Sequence, residues 1–178
     1  MTIIRTATIS DVAAMAALLA ELGYLAPPEA VSVRLDRLAS DPRALVIVAE
    51  KEGRVVGVAT AHAISVMHDD ADVAWLTSLV VDGSAQGRGI GRQLVDAVEA
   101  WARSRGCVRL SVTTNRDRND AHTFYERVGF EWTSRRYSKR LAPRSDAAKQ
   151  QAAKQLAAKE LAKEQAQEQA KEQAKEQA

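Results

Sequence analysis

The chain has 178 residues, 46% of them hydrophobic and 27% charged, with a net charge of +2; that is enough for one buried core with appendages and too little for two full-sized domains. The composition excludes a disordered or membrane-spanning chain, since the longest apolar-leaning stretches, Val12 to Leu22 and Ala44 to Ala49, fall short of a spanning helix and carry no cleavable or arginine-rich leader, so a cytoplasmic protein is expected. The charge is too small to predict nucleic acid as a partner, and the single cysteine, Cys107, excludes a disulfide framework or a cysteine-built zinc site; it reads as packing, and no metal is expected.

In chain order, Ile3-Ile4-Arg5 is a short β pattern, and Thr8-Ile9-Ser10-Asp11 has the spacing of a capping box. Val12, Met15, Leu19 and Leu22 follow at helical spacing, and Gly23 stands where a left-handed cap ends a helix. Pro27-Pro28 restarts the chain, and Val31, Leu35 and Leu38 give a second helix that stops before Asp41-Pro42. Ala44 to Glu50, the turn Lys51-Glu52-Gly53-Arg54 and Val55 to Ile64 predict a β-hairpin, and Val73 to Val81 a third strand. The period then changes to 3.6: Ile90, Leu94, Val98 and Trp101 share one face of a helix stopped near Gly106. Val108 to Thr113 is a strand, Asn119-Asp120 opens a helix ended by Gly129, and two closing strands are expected at Phe130 to Thr133 and Tyr137 to Leu141. Trp75, Trp101 and Trp132 are expected to fill gaps in the core. This order predicts an α/β fold with a mixed sheet flanked by helices, in a domain of residues 1–142.

From residue 143 to residue 178 the composition shifts to alanine, glutamine, lysine and glutamate, all good helix formers. Ala166, Ala170, Ala174 and Ala178 repeat every four residues, so an alanine seam drifts around the helix instead of holding a coiled-coil register. A solvated, partly helical tail is expected, with weak self-association, and hence a homodimer, as the alternative. Arg135, Arg136, Lys139, Arg140 and Arg144 form a basic cluster that reads as a solubilising edge.

The chemistry concentrates in Gln86-Gly87-Arg88-Gly89-Ile90-Gly91, between the strand ending in Leu79-Val80-Val81 and the helix that follows. A phosphate chain needs several unpaired backbone N–H groups converging on it, and the first turn of a helix supplies them at the positive end of its dipole. Glycines at 87, 89 and 91 keep side chains clear of the phosphate oxygens, while Arg88 and Arg92 offer charge-assisted bonds. The dinucleotide fingerprint fails at Arg92, where it needs glycine, and the Gly-Lys-Ser/Thr of nucleotide hydrolases is absent.

The stretch from Leu79 to Leu94, with a later Asn119-Asp120-Ala121-His122-Thr123-Phe124-Tyr125-Glu126-Arg127-Val128-Gly129-Phe130, resembles the GNAT superfamily of acetyl-CoA-dependent acyltransferases. The first block is similar to that family's Gln/Arg-x-x-Gly-x-Gly/Ala motif, the second to its Asn…Ala…Phe-Tyr-Glu…Gly-Phe ending. The resemblance covers residues 3–141 and implies a splayed central sheet with acetyl-CoA in the gap as cosubstrate. It implies that Leu79, Val80 and Val81 line the pantetheine arm, that Gln86, Gly87, Arg88, Gly89, Ile90, Gly91 and Arg92 hold the pyrophosphate, that Asn119 bonds the cofactor, and that Tyr125 faces the sulfur as the catalytic acid. Helical geometry agrees for Tyr125, since Phe124 and Val128 share the core face and leave Tyr125 turned away.

The implied reaction is direct attack of a small-molecule amine on the thioester. Many members carry a glutamate two residues before the Leu-x-Val, where this chain has Thr77, which is no base. Asp72, His62, His68 or a water chain remain as candidates, and Asp69, Asp70 and Asp72 would favour a cationic acceptor if they border its site. Acetylation of a protein, or a non-catalytic acyl-CoA sensor or scaffold, are the competing readings.

Overall fold

The computed structural model describes residues 1–139 and Leu141; the tail expected from residue 143 lies outside the described residues. The elements run β1 (Thr2–Thr6), α1 (Val12–Glu21), α2 (Pro28–Ala39), β2 (Ala44–Lys51), β3 (Arg54–Ile64), β4 (Val73–Val81), α3 (Ile90–Ser104), β5 (Arg109–Val112) and α4 (Asn119–Arg127). The strands form one mixed sheet in chain order: β1 to β4 pair antiparallel, and β5 lies parallel to β4. Residues Met1–Tyr137 form one compact unit. No helix among the described residues is long and apolar enough to cross a membrane.

Local chemistry accounts for the joints. The β2–β3 loop is two residues, Glu52 and Gly53, both with positive φ (53° and 74°), in the sense of turn that matches strand twist. Helix α1 is entered through a 3-10 turn at Ile9–Asp11, and the Thr8 N–H donates to the Asp11 carboxylate at 2.8 Å, the capping box that the spacing predicts.

Alternation along the strands divides the core into two layers. Val46, Val48, Val58 and Val80 point to one face and pack with Val12, Met15, Leu18, Val31 and Leu35 of α1 and α2. Ile47, Ala49, Ala59, Ala61 and Leu76 point to the other, where α3 sets Ile90, Leu94, Val95 and Val98. Leu94 and Val98 are fully buried, and each such aliphatic side chain contributes about 1.5–3 kcal/mol. Phe124 and Tyr125 of α4, with Val128 just past its end, pack against this second layer while none is fully buried.

Two expectations fail at the carboxyl end. No strand forms at residues 130–133, nor among the described residues of 137–141. β5 has only four residues to offer an edge, and the chain beyond α4 is held by side chains instead of ladder bonds: the Trp132 ring meets His122 edge-on at 5.9 Å, and Arg136 Nη1 donates to Thr113 Oγ1 at 2.7 Å. Trp132 is therefore exposed and fills no core gap, whereas Trp75 and Trp101 are half-buried.

Among the described residues, one charged group is buried. Asp11, 4% exposed, takes two nitrogens of Arg5 at 2.7 and 2.8 Å, while Arg5 Nε reaches Glu50 at 2.8 Å on β2. The Arg5 guanidinium holds the Asp11 carboxyl down from 3.8 to about 2. Because the folded-state pKa lies below the unfolded one, this stabilisation, about 2 kcal/mol, is complete above the unfolded value and is lost as pH falls towards the folded value. Denaturant midpoints followed from neutral to strongly acid pH should show that loss in the wild type, and Asp11→Asn should lack it.

Candidate active site

The sheet opens where the site was expected. β4 pairs with β5 only from Val73 to Leu76, against Arg109 to Val112, while its pairing with β3 continues to Val81 opposite Gly57. Residues 77–81 therefore have no strand on their outer edge among the described residues. The Asp82 N–H donates to Val56 O at 2.9 Å, so Val80 turns its backbone towards β3, and Leu79 and Val81 turn theirs into the gap. The Val80 side chain is buried against α1 and α2.

At the top of the split, the chain folds into a short cradle. Asp82 Oδ1 accepts the Ser84 N–H at 2.8 Å, and Glu21 of α1 accepts the Gly83 N–H at 3.2 Å. The Gln86 side chain donates from Nε2 to Val81 O at 3.0 Å, tying the loop to the strand end. Gly87 and Gly89 then take left-handed conformations, φ 73° and 78°, and a side chain at either would project into open space. The first helical bond of α3 runs from the Gln93 N–H to Gly89 O, so the N–H groups of Ile90, Gly91 and Arg92 precede it. Arg88 is exposed, and Arg92 makes only a loose ion pair with Asp96 at 3.9 Å. Gly91 has a different reason from its neighbours: a Cβ there would meet the Phe124 ring at 3.2 Å, so it lets α4 close on α3 and does not open the cradle.

Helix α4 brings the second motif beside the split. Asn119 is exposed in its first turn. Tyr125 is less averted than helical spacing predicts: its ring packs edge-on against Phe124 (5.3 Å) and Phe130 (5.5 Å) and joins the α3 layer. Its hydroxyl has no hydrogen-bond partner among the described residues. Burial pushes its pKa up, with Arg118 opposing, so the phenol stays protonated at neutral pH.

Beside the split, β4 carries a β-bulge. Thr60 pairs with Ser78 and Ala61 with Leu76, which leaves Thr77 as the extra residue of β4. Its hydroxyl donates to Thr60 O at 3.0 Å and lies 2.7 Å from Thr60 Oγ1. Thr77 therefore pins the bulge. Of the proposed bases, Asp72 precedes Thr77 by five residues, about 17 Å along the strand, and accepts a bond from Ser65 at 2.7 Å. His68 is exposed beside Asp69, which is paired with Arg109 at 3.1 Å at the same far end of β4. His62 is nearer, opposite Trp75, with Nε2 2.9 Å from Asp41 Oδ2. Arg136 lies over the Trp75 ring at 5.8 Å. Asp41, Thr60 and Arg136 are neighbours that sequence reasoning missed: the sheet register places Thr60, the α2–β2 turn brings Asp41 to His62, and the chain beyond α4 lays Arg136 over Trp75. Cys107 takes no part: its thiol is pushed up in pKa by burial.

The sequence matches the model of the Acetyltransferase (GNAT) family over residues 12–130. It is 32% identical over 143 residues to an aminoalkylphosphonate N-acetyltransferase of Salmonella typhimurium, covering 78% of this chain and 90% of that one. It is also 32% identical over 139 residues to a type 1 aminoglycoside N(6')-acetyltransferase of Stenotrophomonas maltophilia, covering 74% and 88%. An aminoglycoside N-acetyltransferase solved in complex with CoA shares the fold, with a TM-score of 0.71 and 23% identity over 79% of this chain and 94% of that one. The chain belongs to the Acetyltransferase (GNAT) family and is an N-acetyltransferase.

Proposed function

We propose that this enzyme moves the acetyl group of acetyl-CoA to a primary amine of a small molecule, by direct attack within a ternary complex. The observation that carries this reading is a broken track of backbone donors: the N–H groups of Leu79 and Val81 on the open edge of β4 and those of Ile90, Gly91 and Arg92 in the first turn of α3, while the N–H groups of residues 82–85 between them are already bonded and shape the loop. Such a track suits a ligand with an amide-bearing arm and a pyrophosphate head. In it, Leu79 and Val81 would bond the arm, residues 86–92 the pyrophosphate, and Asn119 the cosubstrate from α4, with Val80 holding the strand in place from below. Backbone N–H at the bulged end of the split would stabilise the oxyanion, and Tyr125 would hand its proton to the departing thiolate. Both curated relatives are named for small amine-bearing acceptors, which favours a small molecule over a protein as the acceptor here.

The test is thiol release from acetyl-CoA on a panel holding an aminoalkylphosphonate, an aminoglycoside with a 6'-amine, a polyamine and lysine-bearing peptides. Turnover on a small amine, retained in a chain ending at Leu141, is the expected result. Turnover on peptides alone, lost with the tail, would replace it with protein acetylation, and tight acetyl-CoA binding without turnover would make the protein a sensor.

A further inference from the structure

An alkylamine is protonated at neutral pH, with a pKa near about 10, and must lose that proton before it can attack a thioester. Thr77, at the position next to the split, is a hydroxyl already committed to Thr60. The acidic loop of Asp69, Asp70 and Asp72 lies at the other end of β4, with Asp69 paired to Arg109 and Asp72 bonded to Ser65. His62 differs on each count. It lies two pairs along β3 from Thr60, on the same face of the sheet, and its side chain is 32% exposed. Asp41 holds it from the α2–β2 turn. That carboxylate is itself fixed, because Oδ1 accepts the Arg43 N–H at 2.8 Å while Oδ2 faces His62. The Arg43 N–H, then the bond to His62, keep Asp41 below the usual carboxylate range and so ionised. An ionised carboxylate accepts only, so His62 Nε2 is the donor to Asp41, and Nδ1 has no partner among the described residues. The other groups around the ring are Ala44 of β2 and Trp75 of β4, both uncharged, with Arg43 on the turn and Arg136 beyond Trp75 as the nearby cations.

We propose that His62 is the base that deprotonates the acceptor ammonium, directly or through one water, with Asp41 as its positioning residue. This rests on the acetyltransfer reading. The ammonium gives one proton to His62 Nδ1, which later passes it to solvent. The freed lone pair forms the N–C bond, the C–S bond breaks, and the thiolate takes a proton from Tyr125. The second proton shed by the nitrogen restores Tyr125 through solvent. Atoms and charge balance with no further reactant.

The full-length protein is assayed with acetyl-CoA and the panel amine that it acetylates fastest. His62→Gln retains an amide donor for Asp41, and should lower kcat/KM for the amine about 10²-fold at neutral pH with the KM for acetyl-CoA unchanged. The acid limb of the wild-type pH profile should be replaced in the variant by one that rises towards the amine's own pKa of about 10. Added imidazole should restore part of the activity of His62→Gly, which a purely structural histidine would not allow. Asp41→Asn should lower kcat by a smaller factor. A His62→Gln variant with wild-type kcat/KM and pH profile overturns the proposal, as does a loss of activity that leaves the acid limb intact and resists imidazole. A wild-type protein that acetylates no amine sinks the acetyltransfer reading and this inference together, a result distinct from an active wild type indifferent to His62.

Discussion

Tyr125→Phe is expected to lower kcat about 10²-fold at neutral pH while the KM for acetyl-CoA stays nearly constant. The variant keeps the ring, and with it the edge contacts to Phe124 and Phe130. It removes only a hydroxyl without a partner among the described residues, so thermal stability should not change. The loss is then a loss of proton donation in the transition state, which appears in kcat and kcat/KM alike. The raised pKa sets the sign of the pH dependence: the donor is present through neutral pH, and wild-type activity should fall only above the ordinary phenol value of about 10. Steady-state kinetics across alkaline pH should show that limb in the wild type and not in the variant. Equal kcat values would reduce Tyr125 to a packing residue.

Gly89→Val is expected to raise the KM for acetyl-CoA by about tenfold or more. Gly89 has φ 78°, and left-handed backbone costs a residue with a Cβ about 1–2 kcal/mol, with a branched one at the high end; 1.4 kcal/mol is a factor of about ten in affinity. The new methyls would also enter the open space above the α3 amides. Calorimetric titration with acetyl-CoA checks the result directly. Gly91→Ala is the contrasting control, because its Cβ would press on Phe124 at 3.2 Å. It should lower the melting temperature more than it weakens binding, whereas equal binding losses at both positions would mean that the whole turn acts only through its backbone shape.

Elements whose signal is local were legible in the chain. The run Val73–Val81 ends one residue before the turn that Asp82 caps, and α3 starts at Ile90 because Gly89 supplies the left-handed step. The apolar repeat of α3 gave its buried face, with Val95 added beside Leu94 and Val98. The closing strands were misread because Phe130 to Leu141 has strand-forming residues, yet a ladder also needs a partner edge, and β5 supplies only four residues. The bulge at Thr77 leaves the apolar pattern of β4 unbroken, and only its pairing with β3 reveals it. The Asp41 contact to His62 spans 21 residues and depends on how the α2–β2 turn meets the sheet. Glycine spacing marked the turn before α3, and His62 stood among the candidate bases, but nothing local in the chain singled it out from Asp72 and His68.

Strand order has a further consequence for how occupancy could be sensed. β1 to β4 are joined by antiparallel ladders of five to eight residue pairs, while β5 is attached through four parallel pairs. So short a junction opens at lower free energy than the centre of the sheet. Acetyl-CoA in the proposed seat would touch β4, α3 and α4 together and so favour the closed junction, and mass action would raise the free energy of opening. Deuterium uptake at Arg109–Val112 and Asn119–Arg127 should then slow on saturation while β2 and β3 exchange as before, making the weakest edge of the sheet a gauge of cosubstrate binding.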